Sequence, residues 1–525
     1  MNRFPLNVAD GESDRNPSIR LFGRRFSNDW QPMNALAELL LVASSQKQVQ
    51  GGAPTTATRD FFPNAEELGQ FRQDATGLVY YPKAHLNLKL FAFLGASALA
   101  SRHRVHQEHA RELRRLLEAR IDAPPGMKTD DILQNLSALF LGFLGNGAGR
   151  TWCTQTFLPF CPALLANEVI WRRTKATRYP PQDWDEVCNS FQKYFELNQH
   201  RFLDRSGEAL YLQLCNAFSR TPPDIFVWLS EEDCVKQSLL VDETDPSTLK
   251  RSLSDALQRF LESAPKGLPS ILDFIDTGVD AETAEASDGP DDNPRKAECG
   301  WVPEETWREG YLFAVEIKRL LSAKLDPMEK LDLFEVACSL QILRTLVRQA
   351  GRHYAASSSS LRLLLCDADG ESRRLKTRSS QSLQEITKAL KLAIRIPEIR
   401  NVSVGMLGSN ATKEDVDRLY HEADEYASGL YRKIGKNLGL IVPPKGRATK
   451  ATLNERLLRC LVLTLVPEKR ATVTSFKARI EAHHGFIFDP DGRNGGDAWL
   501  EQLLEAAGML VRLSDACSLV QNPFV

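Results

Sequence analysis

The sequence predicts a mainly helical, multi-domain protein with a small α+β module at its C-terminal end, and three observations carry that expectation. Apolar residues recur at the three-to-four spacing of amphipathic helices through most of the chain. The helical runs are cut by proline and glycine clusters, at Pro124-Pro125-Gly126, Pro180-Pro181, Pro222-Pro223 and Pro443-Pro444-Lys445-Gly446. Short apolar runs of strand character are concentrated in the last seventy or so residues.

In chain order, Pro32 to Val42 reads as a strong helix after an entry loop, and Gln48 to Thr58 as a polar interruption before Phe61-Phe62-Pro63 and further helix. His85 to Arg120 reads as a long helix or a broken pair, apolar to Leu99 and strongly basic from Arg102. Helices are expected at Asp130 to Leu144, Gln182 to Glu196, Ser206 to Phe218 and Thr248 to Glu262. The segment from Asp276 to Gly300 is acidic and almost without large apolar groups, so burial cannot offset its ordering entropy, and a mobile linker or surface loop is expected there. A helical pair follows at Glu304 to Ala323 and Pro327 to Arg352, then a strand at Leu361 to Cys366 that turns through Asp369-Gly370 into a polar run ending at Arg378. Helices at Leu383 to Ile394 and Lys413 to Ile434 lead to the proline hinge at 443 to 446. The expected division is therefore a helical domain over 1–275, the acidic linker over 276–300, a helical domain with a small hairpin over 301–445, and the C-terminal module over 446–525.

In that module Leu453 to Leu463 has helical spacing, with Thr452 at the N-cap and Glu455 completing a capping box. A second helix runs from about Thr474 to a C-cap at Gly485, and a third begins near Asp497 and closes at Gly508. Phe486 to Phe488 reads as a brief strand, and Met509 to Leu513 with Cys517 to Val520 as a hairpin. Three short helices followed by a two-stranded ribbon resemble a winged helix-turn-helix. That resemblance implies a third helix in the major groove and a wing on the backbone. This third helix instead carries Asp497, Glu501 and Glu505 and no cation, the wrong sign for phosphates. The cations lie at Lys469, Arg470, Lys477, Arg479 and the pair His483-His484, so the module is expected to dock on protein or to touch nucleic acid through its second helix.

Composition bounds the function. The chain has 525 residues, 42% hydrophobic and 26% charged, as in an ordinary soluble globular protein, and a net charge of −2, so any polyanion must be met by local patches. Ten cysteines without CxxC spacing point to reduced, mostly buried thiols and a cytoplasmic location. Met1 to Asp29 holds no signal-peptide apolar core, and the longest apolar run, Leu136 to Leu144, is too short to cross a bilayer, so no membrane contact is expected.

Three basic runs are the candidate nucleic-acid-binding residues. They are Arg102, Arg104, Arg111, Arg114 and Arg115; then Arg172, Arg173, Lys175 and Arg178, flanked by Trp171 and Tyr179; and Arg373, Arg374, Lys376 and Arg378. Clustered cations suit a phosphate backbone, and flanking aromatics suit exposed bases. The plainer reading of each run is solvated charge balanced by nearby acids. Asp367, Asp369 and Glu371 alternate as Mg²⁺ ligands of a nuclease would, but Asp369-Gly370 is also a common hairpin turn, which is the preferred reading. Leu144 to Thr151 lacks the first glycine and the lysine of a phosphate-binding loop. His103, His106 and His109 lie among arginines that would repel a metal ion. Glu316-Ile317-Lys318 has a nuclease-like spacing but falls inside an amphipathic helix. No cofactor or metal is therefore expected.

Beyond the module, Arg25 to Trp30 leading into Leu39 to Val42, Phe143 to Pro162, and Leu513 to Phe524 give the chain a similarity to the large accessory proteins encoded in bacterial anti-phage defence clusters. The similarity implies a non-catalytic subunit beside a helicase, ATPase, nuclease or methyltransferase, and it transfers no catalytic residue. The expected function is a DNA-associated scaffold or adaptor. The alternatives are a metal-dependent nuclease using Asp367 and Asp369, and a purely protein-binding module.

Overall fold

A computed structural model describes residues 2–6, 8–24, 32–49, 61–74, 78–81, 115, 118–119, 123–132, 168–171, 195–198, 206–263, 297–354, 361–367, 373–445, 449–489, 498–514 and 517–525. Among them helices dominate, as expected. Those before residue 300 are α1 (Pro17–Phe22), α2 (Pro32–Ser44), α3 (Ala65–Asp74), α4 (Ser206–Phe218), α5 (Pro222–Glu231), α6 (Asp233–Ser238) and α7 (Pro246–Ser263). After it come α8 (Trp307–Ser322), α9 (Pro327–His353), α10 (Arg373–Ala393), α11 (Pro397–Gly405), α12 (Lys413–Asp424) and α13 (Leu430–Asn437). The C-terminal segment adds α14 (Glu455–Leu465), α15 (Val473–His484) and α16 (Ala498–Ala506).

The strands are short. β1 (Arg3–Phe4) pairs antiparallel with β7 (Val302–Pro303), and β2 (Gln46–Val49), β3 (Leu78–Tyr81) and β6 (Ala297–Glu298) form one antiparallel sheet. β4 (Glu168–Trp171) pairs with β5 (Phe195–Asn198), inside the expected Gln182 to Glu196 helix at its last two residues. β8 (Leu363–Leu364) lies parallel to β12 (Phe486–Ile487), and β9 (Ile441–Val442) lies antiparallel to β10 (Lys450–Ala451) across the proline segment read as a hinge. β11 (Arg470–Thr472), β14 (Cys517–Gln521) and β13 (Leu510–Ser514) make an antiparallel sheet in that order.

The core is built around α8, which packs on α4, α7, α9 and α14. Tyr311, Leu312, Val315, Ile317 and Leu320 bury all around it, so it is a central rather than a surface helix. Two glycines set the closest crossings. A Cβ on Gly310 would stand 2.2 Å from the Gln213 carbonyl oxygen of α4, and one on Gly207 would stand 2.4 Å from the Leu39 nitrogen of α2. Where α2 meets α4, the buried Glu38 carboxylate accepts the Gly207 N–H at 2.8 Å, supplying an acceptor and a negative charge to the helix N-terminus.

Buried ion pairs on α8 reach in both sequence directions. Arg319 donates to Glu243 at 2.9 Å, to the Ser238 carbonyl at 2.7 Å and to the Thr464 carbonyl of α14 at 2.8 Å. The C-terminal segment is thereby bonded into the helical body.

Several local expectations need correction. The N-cap of α14 is Asn454, whose side chain accepts the Leu457 N–H at 2.8 Å, not Thr452, which is buried two residues earlier. Of the module's cations, Lys469 immediately precedes β11 and Arg470 opens it, on the edge of the C-terminal sheet. The Arg373 to Arg378 run is the start of α10 rather than a loop, because Leu383, Ile386 and Leu390 extend one buried face that Ser379 begins. Residues 276–296 of the acidic segment lie outside the described residues, but Ala297–Glu298 is strand and Cys299 is fully buried. Gly485 sits in the left-handed conformation at the end of α15, as the sequence requires.

Candidate nucleic-acid interface

α10 spans 21 residues and contains six cations and one acid, Glu385. Its periodicity separates two faces. Ser379, Leu383, Ile386, Leu390 and Ala393 are buried against the body. At 3.6 residues per turn, Arg373, Lys376, Ser380, Gln384, Lys388 and Lys391 fall within about 60° of one another's mean direction on the outward side. Arg373, Lys388 and Lys391 are exposed and Lys376 is half-buried. The first turn holds no acid, so its cations face the positive end of the helix dipole, an arrangement that costs about 0.3–1 kcal/mol per charge unless an anion is nearby.

At its C-terminal end the same face opens into a cleft of about 410 Å³ whose walls include Lys388, Lys391, Arg395 and Arg432. A second cleft of about 300 Å³ shares Lys391 and Arg432 and is bounded by the π-helical turn Glu425–Gly429 between α12 and α13. Such turns recur at functional sites because the extra residue changes how the following side chains project. Two acids line this second cleft: Asp424 accepts two bonds from Arg395, at 2.7 and 3.1 Å, and lies 3.6 Å from Lys391, while Glu425 is exposed. Arg395 also lies over the Tyr420 ring at 4.7 Å, which fixes its plane. Arg400 extends the basic rim beyond Arg395 in a neighbouring cleft of about 450 Å³. This surface can hold a chain of phosphates; it contains no nucleophile set against a base.

The sequence-predicted residues are distributed as follows. Arg373, Arg374, Lys376 and Arg378 are together at the start of α10, with Arg378 3.7 Å from Asp489. Arg479 is tied to Glu468 at 2.6 and 3.0 Å and to the Leu465 carbonyl at 2.9 Å, so it braces α14 against α15. Lys477 lies 6.0 Å from the centre of the Phe488 ring, while Lys469 and Arg470 are exposed. Arg115 is exposed. Arg102, Arg104, Arg111, Arg114, Arg172, Arg173, Lys175 and Arg178 lie outside the described residues, as do the glycine-rich stretch, the three spaced histidines, Asp369 and Glu371. Among the described residues no group of three or more His, Cys, Asp or Glu is placed to hold a metal ion. Lys388, Lys391, Arg395 and Arg432 were not singled out by sequence; the continuation of the 373–378 period down one helix could have found Lys388 and Lys391, whereas Arg395 beyond the helix end and Arg432 of α13 join them only in the fold.

A second constellation was also invisible in the sequence. His483 lies with Nε2 2.8 Å from Ser238 Oγ and Nδ1 2.9 Å from Glu316 Oε1, the connectivity of a nucleophile, base and orienting carboxylate. Its surroundings give it a different role. Ser238 is 1% exposed and its hydroxyl donates to the Val235 carbonyl at 2.6 Å. Glu316 takes two bonds from the buried Arg344, at 2.6 and 3.0 Å. Burial alone would raise the Glu316 carboxyl, but Arg344 holds it ionised and well below its ordinary range. Burial drives both neighbouring histidines the other way, His484 down to about 3, so His484 stays neutral. A sealed serine cannot meet a substrate carbonyl, and the group acts as a polar tie joining α6, α8, α9 and α15.

Among the described residues no helix is long and apolar enough to cross a membrane. Comparison with known protein families, with curated proteins and with solved structures finds no match to this chain.

Proposed function

We propose that this chain is a non-enzymatic, DNA-associated scaffold or adaptor subunit, holding nucleic acid on the outward face of α10. The observation that carries the reading is the set of four cations, Arg373, Lys376, Lys388 and Lys391, on one face, continued by Arg395, Arg400 and Arg432 around the adjoining clefts. With a net charge of −2, long-range steering is weak, and this patch acts within a Debye length of about 8–10 Å. The similarity noted above supplies the setting, a multi-protein bacterial defence assembly in which a helicase, ATPase, nuclease or methyltransferase does the chemistry.

The C-terminal segment supports a winged-helix-like reading in the order of its helices and hairpin, and its third helix favours protein as that module's partner. Glu505 pairs with Arg512 of the ribbon at 2.8 Å and Glu501 accepts from Ser518 at 3.2 Å, and α16 itself carries no cation.

Titration of a labelled DNA against the protein at rising NaCl tests the reading. Binding should weaken linearly in log–log form, with a slope of about −0.9 per phosphate contact. Lys388→Glu with Lys391→Glu should weaken it further at every salt concentration. Absence of salt-dependent binding would refute the proposal.

A further inference from the structure

The cations on the outward face of α10 are not evenly spread. Arg373 and Lys376 stand at its start, Lys388 and Lys391 near its end, and the same face between them carries the uncharged Ser380 and Gln384. At 1.5 Å per residue, Lys376 and Lys388 are separated by about 18 Å along the axis. We infer that this face takes a nucleic-acid duplex and straddles its major groove, each cation pair resting on the phosphate ridge of a different strand.

The spacing decides between ligand forms. A major groove about 12 Å wide separates two phosphate ridges, and long lysine and arginine side chains leaning inward from either end of an 18 Å gap reach both. A single strand carries a phosphate at every nucleotide along one continuous path, which calls for cations on successive turns, and the middle of this face supplies none. Among the described residues Phe226 of α5 is the one aromatic among the large hydrophobic side chains that stand well exposed, and it is not on this face. The contact is with backbone, since lysine as a compact point charge holds phosphate without reading base edges.

At the far end the ridge meets Arg432 and the cleft beyond Lys391, while Arg395 remains committed to Asp424. Binding is therefore sequence-independent and depends on the separation of the two cation pairs.

This inference rests on the nucleic-acid reading above, and one experiment separates the two. Fluorescence anisotropy is measured with the full chain on a 20-base-pair DNA duplex, on either of its single strands, and on an RNA duplex of the same sequence, at several NaCl concentrations. The DNA duplex should bind at least about tenfold more tightly than the single strands. The RNA duplex, whose major groove is deep and narrow, should also bind more weakly. Arg373→Gln with Lys376→Gln, and separately Lys388→Gln with Lys391→Gln, should each lower the magnitude of the salt slope by about 2, one per phosphate released, and together by about 4. Unchanged circular-dichroism melts confirm that the variants fold. Single strands binding as tightly as duplex, RNA duplex binding as tightly as DNA, or one pair carrying the whole slope would overturn the straddling geometry while leaving the nucleic-acid reading intact. No salt-dependent binding to any of the three would overturn both.

Discussion

At the scale of single residues, the buried tie around Glu316 makes a pH prediction. His484 is held down to about 3 and His483 is also depressed by burial, against an ordinary value of 6.5 in the unfolded chain. A group whose folded value is depressed contributes stability above its unfolded value, and that contribution is lost as the unfolded chain takes up the proton. Loss should therefore begin below pH 6.5. His484 alone contributes on the order of 2–3 kcal/mol to the loss by pH 4.5. The depressed carboxylates Glu316, Glu243, Glu305 and Glu468 add to it only below their ordinary value of 4.5, and Glu335, raised by burial, works against it toward the acid end, so the fall from 6.5 downward is led by the histidines. Urea unfolding midpoints at pH 7, 5.5 and 4.5 should fall steadily; midpoints that stay level down to pH 4.5 would show that the histidines are not buried as described. This grouping was not legible beforehand: Glu316 and the His483-His484 pair stood out for other reasons, and Ser238, Glu316, Arg344 and His483 come from four separate helices that share no local pattern.

At the scale of elements, what was legible was amphipathic periodicity, and what was not was anything set by a distant partner. α4 was read to the residue because a polar, proline-marked boundary encloses it on the C-terminal side and its apolar content is high. The start of α10 was missed because Arg373 to Arg378 carries no apolar residue but Leu375; only the packing of the later turns shows that the run belongs to the helix. β11 escaped notice because a three-residue edge strand is defined by its neighbour β14, not by its own sequence. The glycine crossings give the element-scale prediction. Gly310→Ala forces a methyl group into the Gln213 backbone and should destabilise by about 1–3 kcal/mol or more, lowering Tm by several degrees. Gly69→Ala, inside α3 with nothing within 4 Å of the new Cβ, should stabilise by about 0.5–1 kcal/mol. Thermal melts of the two variants should move in opposite directions, and a neutral Gly310→Ala would mean that α8 and α4 are not so close.

At the scale of the whole molecule, charge is balanced in total and separated in place. The stretch through α5 and α6 exposes Glu231, Glu232 and Asp233, while α10 exposes Arg373, Lys388 and Lys391. One apolar cluster extends from Phe4 to Val520, and Arg319 and His483 add buried polar ties between the helical body and the C-terminal helices. The basic face is thus mounted on a rigid support, with α10 packed along α9 and bonded through Ser379 to the Ala451 N–H at 2.8 Å. Such a support holds the cations at a fixed separation with little ordering cost on binding. The most direct test is lysine footprinting by mild acetylation and mass spectrometry, with and without a DNA duplex. Lys376, Lys388 and Lys391 should become protected while the exposed Lys236 of α6 stays reactive. Undiminished acetylation of all three α10 lysines in the presence of bound DNA would contradict the account.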